Sequence, residues 1–234
     1  MDIETWMGQH ETSAIRPESN GVMIMKIITH SGRAHADEVC TIAILLSFYG
    51  DKGYFSKDLI ERREPTDEEL EDPDVWVIDV GGQHSPEKGN FDHHQMPPED
   101  QECAFTLVLR HLGLLDAFEE AFEWVRPLAI LDSQGPKALA NYAGVSFEGF
   151  KVLGPSPLQQ ALLGLFGDKD RLCCLPCMEG EPHPLLRMLE TMGKGWVKTA
   201  RDFCERKTRL KAGEARQVTT PGGLTGVFIA SREN

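Results

Sequence analysis

Three short apolar runs, each closing on acids or histidines, constrain this chain more than any other feature. They are VMIMKIIT (22–29), VWVIDVGG (75–82) and GNFDHHQ (89–95). A run of that length, rich in β-branched residues and flanked by turn signals, suits a buried strand better than a helix. Between and after them lie helical patterns. DEVCTIAILLSFYG (37–50) opens on two acids and ends at Gly50, as a helix dipole favours, and further patterns cover about 102–112 and 116–131. DLIERRE (58–64) reads as a short additional strand, and the acidic, proline-bounded EPTDEELEDPD (64–74) as a connection. Strands alternating with helices predict an α/β fold with a parallel sheet flanked by helices.

The pattern loosens between Gly135 and Pro157, where glycine and proline recur. A boundary there gives a flexible N-terminal extension at 1–22, a main domain at 23–146 and a smaller, mainly helical C-terminal region at 147–234. In the last of these, LQQALLGLFG (158–167) is helical, and 183–212 forms one long helix or two shorter ones. At helical spacing Trp196, Val197, Ala200, Phe203 and Cys204 share a face, with Lys194, Lys198, Arg201 and Arg209 opposite.

With 234 residues the chain is long enough to bury a real core. No apolar run reaches the ~18 residues of a membrane span, and the polar N-terminus holds no signal core, so a cytoplasmic protein is expected. The net charge of −13 excludes nonspecific coating of duplex DNA, which depends on Lys and Arg displacing counterions. Any nucleic-acid contact is therefore local. The one basic stretch is 186–217, with nine Lys or Arg against four Asp or Glu, and a solvated helix face explains it as well as a binding role does. Six cysteines in such a chain read as reduced thiols. CCLPC (Cys173, Cys174, Cys177) holds one Cys-x-x-Cys, and no second pair completes a tetrahedral zinc site.

In a parallel α/β sheet ligands bind beyond the carboxyl ends of the strands. There this chain places THSGRAHADE (29–38), Asp79 and Asp92-His93-His94, with Asp132 closing a helical pattern. Carboxylates gathered without cations repel one another, and burying them unpaired costs several kcal/mol each. A divalent cation resolves the conflict. Three carboxylates and three imidazoles supply oxygen and nitrogen donors suited to Mn²⁺, Co²⁺ or Fe²⁺ as well as Mg²⁺. Singly, each cluster has a bland reading: Asp37 and Glu38 as helix caps, His30 as a packing residue, the His pair as surface. Four clusters on one sheet edge are harder to dismiss.

THSGRAHADE, VIDVGG, FDHHQ and ILDSQG, in that order, resemble the DHH phosphoesterase superfamily. Within it they resemble the melanocyte-proliferating-gene (MYG-type) family of metal-dependent hydrolases, strongly over residues 26 to 135. The resemblance implies two divalent metal ions, one held by His30, His35 and Asp79, the other by Asp37, Asp79, His93 and Asp132. It also implies His94 facing the substrate phosphate, Asp92 orienting an imidazole, and Arg62 at a basic strand end within reach of phosphate. The implied activity is phosphodiester hydrolysis, exonuclease-like, on RNA or short single-stranded oligonucleotides. Other readings are hydrolysis of pyrophosphate or a dinucleotide, or a non-catalytic metal-bound scaffold, with a homo-oligomer as a further expectation. Members of the family run on into a C-terminal portion with a GG substrate clamp, for which Gly222 and Gly223, an ordinary turn, are a poor substitute.

Overall fold

The computed structural model describes residues 26–49, 60–153, 184–213, 215–223 and 225–229, together with Gln160, Leu163 and Gly164. The N-terminal extension, Gly50, the Cys173–Cys177 cluster and most of 158–167 lie outside the described residues.

Strand β1 (Lys26–Thr29) is followed by helix α1 (Ala36–Tyr49), β2 (Ile60–Arg62), the short α2 (Asp67–Glu71) and β3 (Val75–Ile78). Next come β4 (His84–Ser85) and β5 (Asn90–Phe91), two-residue strands joined through a turn of 3-10 helix. The sheet order is β2-β1-β3-β5-β4. All neighbours are parallel except β4 and β5, an antiparallel edge that the sequence patterns do not anticipate.

Alternation along the strands gives the sheet two apolar faces. Ile27, Trp76, Ile78 and Phe91 point into the main core, whereas Ile28, Val75 and Val77 point to a smaller cluster closed by Leu70 of α2. Helix α2 is fixed by a capping box between Thr66 and Glu69. Its Glu69 carboxylate also takes Arg63 and Lys26 at 2.5 and 2.8 Å, tying α2 to β1 and to the end of β2.

The main face carries α1, α3 (Ala104–His111), α4 (Leu115–Ala121) and α5 (Val125–Gln134). The helix expected over 116–131 is divided. Phe122 leaves the helix in extended conformation, and Phe118, Phe122 and Trp124 stack at the corner against Phe105. Burial of that aromatic cluster outweighs continuing one straight helix. Two short helices, α6 (Pro136–Tyr142) and α7 (Phe147–Leu153), follow Gly135.

The stretch 183–212 is a single helix, α8 (Pro184–Lys211), and its apolar face packs on α1 and α4. The expected boundary separates α8 from 23–146 in sequence but not in packing. Leu185, Leu189, Val197 and Ala200 belong to the same core as Ile27 and Phe105. Beyond α8, β6 (Ala215–Thr219) and β7 (Thr225–Ile229) form a hairpin with Gly222 and Gly223 in its turn. Among the described residues no helix is long and apolar enough to cross a membrane.

Candidate metal centre

The site is assembled where the parallel strands end. His30 follows β1, Asp79 follows β3, and Asp92, His93 and His94 follow β5; Asp37 sits in the first turn of α1 and Asp132 in the last turn of α5. At Asp79 the backbone turns with φ 60°, a left-handed conformation that costs a residue with a Cβ on the order of 1 kcal/mol. The turn is held by the Asp79 N–H, which donates to the Phe91 carbonyl at 3.0 Å, and it leaves the carboxylate fully buried at the centre.

Around that carboxylate the imidazoles converge. On its Oδ2 side lie His30 Nε2 at 3.5 Å and His35 Nδ1 at 4.0 Å. On its Oδ1 side lie His93 Nε2 at 3.2 Å and His94 Nδ1 at 3.8 Å. Asp132 reaches His93 at 2.8 Å and His35 at 3.6 Å. Three groups of donor atoms, each within 4.8 Å of one another, could hold an ion: His30, His35 and Asp79; Asp37, Asp79, His93 and Asp132; and Asp79, His93 and His94. Asp79 is common to all three.

Buried polar groups are normally hydrogen-bonded. Here His30 Nε2 and both oxygens of Asp37 are buried with no hydrogen bond, and both oxygens of Asp79 face only imidazole nitrogens. His30 shows why a cation fits. Its Nδ1 lies 2.8 Å from the Ser31 carbonyl, which can only accept, so Nδ1 carries the proton. Nε2, the other ring nitrogen, then faces Asp79 Oδ2 and Glu38 Oε1, the latter at 3.4 Å. Lone pairs facing carboxylates repel unless a proton or a metal ion lies between them. A ligating histidine with its other nitrogen donating to a backbone carbonyl is the usual outer-shell arrangement of a metal site.

The electrostatics agree. Burial, and then the neighbouring Asp79 and Asp132 carboxylates, push the Asp37 carboxyl well above its ordinary range. Burial alone would lower His93, but Asp132 and Asp79 outweigh it and raise the imidazole to about 10. Without a metal the site therefore gathers protons in its place.

The remaining candidates are placed as follows. Asp92 accepts from the Gly82 N–H at 2.7 Å, from the His94 N–H at 3.0 Å and from His94 Nδ1 at 2.7 Å, so it fixes the exposed His94 ring. Burial would raise its carboxyl, but these donors hold it below the usual range. Arg62 lies beneath the site, not at its mouth: it is 1% exposed and its Nη2 donates to Glu38 Oε1 at 3.0 Å, so it presents no surface to a phosphate. On α8, Lys194 pairs with Glu190 at 2.7 Å and Lys198 with Asp202 at 2.5 Å. Arg201 and Arg209 instead line a cavity of about 370 Å³ between α8 and the start of α4, with Leu114, Ala117 and Glu205. Sequence reasoning gave Glu38 no role beyond a cap. Its side chain does accept from the His35 backbone N–H at 2.9 Å, but it also carries the Arg62 pair, which no local spacing announces.

Comparison with known proteins follows the same stretch of chain. Residues 26–105 match the model of MYG1_exonuc, an uncharacterised protein family (UPF0160). The likeness is to the MYG1 exonuclease family. Mouse MYG1 exonuclease is 33% identical over 87 residues, which are 37% of this chain and 21% of the mouse protein. Human MYG1 exonuclease is 38% identical over 72 residues, 30% of this chain and 17% of its own length. The MYG1 protein of Chlamydia muridarum is 36% identical over 125 residues, 52% of this chain and 39% of the relative. The chain thus spans about a fifth of the mammalian relatives it matches and about two fifths of the chlamydial one. No solved structure matches it.

Proposed function

We propose that this chain is a two-metal phosphoesterase of the DHH superfamily that hydrolyses phosphodiester bonds from an end of RNA or of short single-stranded oligonucleotides. The observation that carries the reading is the position of Asp79. One buried carboxylate, its oxygens facing only imidazole nitrogens, stands between His30 and His35 on one side and Asp37, His93 and Asp132 on the other. That is the arrangement a carboxylate shared by two divalent ions requires. The name exonuclease, borne by mammalian relatives of residues 26–105, supports a nucleic-acid substrate.

In this reading His30, His35 and Asp79 hold one ion, and Asp37, Asp79, His93 and Asp132 hold the other. The nitrogen-rich first set favours Mn²⁺ over Mg²⁺. The chemistry such a pair supplies is Lewis-acid activation of water and neutralisation of a phosphoryl group. The protein's own part is placement. Asp92 accepts from His94 Nδ1 and so fixes the ring; Nε2 of the neutral ring would accept a proton, and with the ring doubly protonated it would donate to a substrate oxygen as charge develops. Arg201 and Arg209, with Lys194 and Lys198, are the proposed track for the nucleic-acid backbone beyond the reacting phosphate.

The test is purified protein with Mn²⁺, offered labelled RNA, single-stranded DNA, dinucleotides and pyrophosphate in parallel. The expected result is release of mononucleotides from RNA or short oligonucleotides, abolished by chelation and restored by Mn²⁺. Turnover of pyrophosphate alone would move the function to small phosphate compounds. No turnover of any substrate, with two ions bound, would leave a metal-bound scaffold.

A further inference from the structure

Glu38 belongs to none of the donor groups, yet it is fully buried directly after Asp37. Its Oε1 accepts from Arg62 Nη2 at 3.0 Å and from the His35 N–H at 2.9 Å, and lies 3.4 Å from His30 Nε2. Arg62 reaches from the end of β2, and its Nη1 donates to the Gly32 carbonyl at 3.0 Å. Gly32 is the left-handed turn of the loop, with φ 84°. One ion pair thus touches the loop at its bend and at its far end, and faces the imidazole at its near end. That loop carries both histidines of the first donor group and neither of the second.

A fold has little need of such a pair. Burying two charges costs several kcal/mol per ion, and apolar residues of similar volume often replace a buried ion pair without loss of stability. The strand and helix it joins already share one apolar core, to which Ile60, Val39 and Ile42 all belong. What the pair adds is direction: a rigid guanidinium fork and a carboxylate set loop geometry that apolar packing leaves loose.

We infer that Glu38 and Arg62 form a positioning pair that presets the loop 30–35, so that His30 and His35 meet Asp79 as one metal site. This rests on the metal reading above and adds a division of labour. The histidine-rich site depends on the pair, and the Asp37, His93 and Asp132 site does not.

The test measures Mn²⁺ binding by titration calorimetry and the spin coupling of the bound pair by electron paramagnetic resonance. It compares the wild type, the double variant Glu38→Met/Arg62→Met and the single variant Glu38→Gln. The double variant is expected to fold with a metal-free melting temperature close to wild type, and Glu38→Gln, which takes the buried negative charge away from Arg62, to fold but melt lower. One of the two Mn²⁺ sites should weaken by about 10- to 100-fold, the usual penalty for losing an outer-shell partner, and the coupled signal should give way to that of a single ion. The second site should keep its affinity. Two unchanged affinities in a folded double variant would overturn the inference, leaving the pair a feature of the fold alone. So would equal weakening of both sites, or failure of even Glu38→Gln to fold. A wild type that binds no Mn²⁺ sinks the metal reading itself, a result distinct from any of these.

Discussion

Asp79 concentrates at one residue the opposing demands on this protein. Its backbone is strained, its carboxylate is buried, and the neighbouring Asp37 is pushed toward protonation by burial and by Asp79 itself. Asparagine tolerates the left-handed backbone nearly as well and removes the charge. In Asp79→Asn, Mn²⁺ stoichiometry should fall toward one or zero and hydrolysis should be lost. Titration calorimetry with Mn²⁺ checks this; wild-type stoichiometry and turnover in the variant would contradict the shared-carboxylate reading. The pH dependence follows from the same groups. His93, raised to about 10, stabilises the metal-free protein fully below the ordinary histidine pKa of about 6.5, and that contribution is lost as pH rises toward 10. Asp37, raised in the fold, opposes folding once it ionises. With Asp37 and His93 as ligands in the proposed site, metal binding would need both deprotonated, so it should release protons and strengthen with pH. The gap in melting temperature between metal-loaded and metal-free protein should widen from pH 6 to pH 8.5. Calorimetry in buffers of different ionisation enthalpy should show at least one proton released per chain.

Among the elements, α8 and α2 are secured in opposite ways. Helix α8 meets α1 at Gly193, where an added Cβ would lie 2.0 Å from the Ala43 carbonyl oxygen. The clash is with backbone, so it cannot be relieved by turning a side chain. Gly193→Ala should cost more than about 3 kcal/mol, by forcing two core helices apart. Two residues later Gly195 faces open space, and Gly195→Ala should be neutral or stabilise by up to about 1 kcal/mol through helix propensity. Denaturant melts of the two variants test the contrast. Helix α2 is held by charge. Arg63, first of all, with Lys26 and the Thr66 N–H, draws the Glu69 carboxyl well below its usual range against the opposing effect of burial. A lowered carboxyl stabilises at pH values above its unfolded pKa, about 4.3, and that stability is lost as pH falls below it. Glu69→Gln should thus cost about 1–2 kcal/mol at pH 7 and progressively less below pH 4, where wild type and variant converge.

For the whole molecule, the charge distribution bears on the substrate. With −13 overall, the chain as a whole repels a nucleic acid, and the stretch with a basic excess lies along α8. There Lys194 and Lys198 are already neutralised by acids one turn away, while Arg201 and Arg209 border a cavity. Reversing Arg201 and Arg209 to Glu should weaken RNA binding and flatten its salt dependence by about 0.7 in slope for each lost phosphate contact. Reversing Lys194 and Lys198 should change both less. Mn²⁺ binding and hydrolysis of a dinucleotide should be unaffected by either. An unchanged salt slope in the arginine variant would make the face solvated surface and leave the short substrates in front.

The alternation of short apolar runs with helical patterns was enough to read a parallel α/β sheet, because side-chain period and β-branching are local properties. The polar endings of those runs, with Asp132 at the end of a helical pattern, pointed to one sheet edge, because strand ends in such sheets converge there; the resemblance of the four motifs to a known family narrowed the candidates to His30, His35, Asp37, Asp79, His93 and Asp132. What no local pattern carries is who meets whom across the fold. The break at Phe122 depends on aromatic packing with Phe118 and Trp124, and the docking of α8 on the main core depends on a carbonyl of α1 meeting a glycine 150 residues later. The resemblance puts Arg62 at a basic strand end within reach of phosphate. Only the tertiary structure turns it inward, because a buried carboxylate at Glu38, 24 residues away along the chain, must be paired.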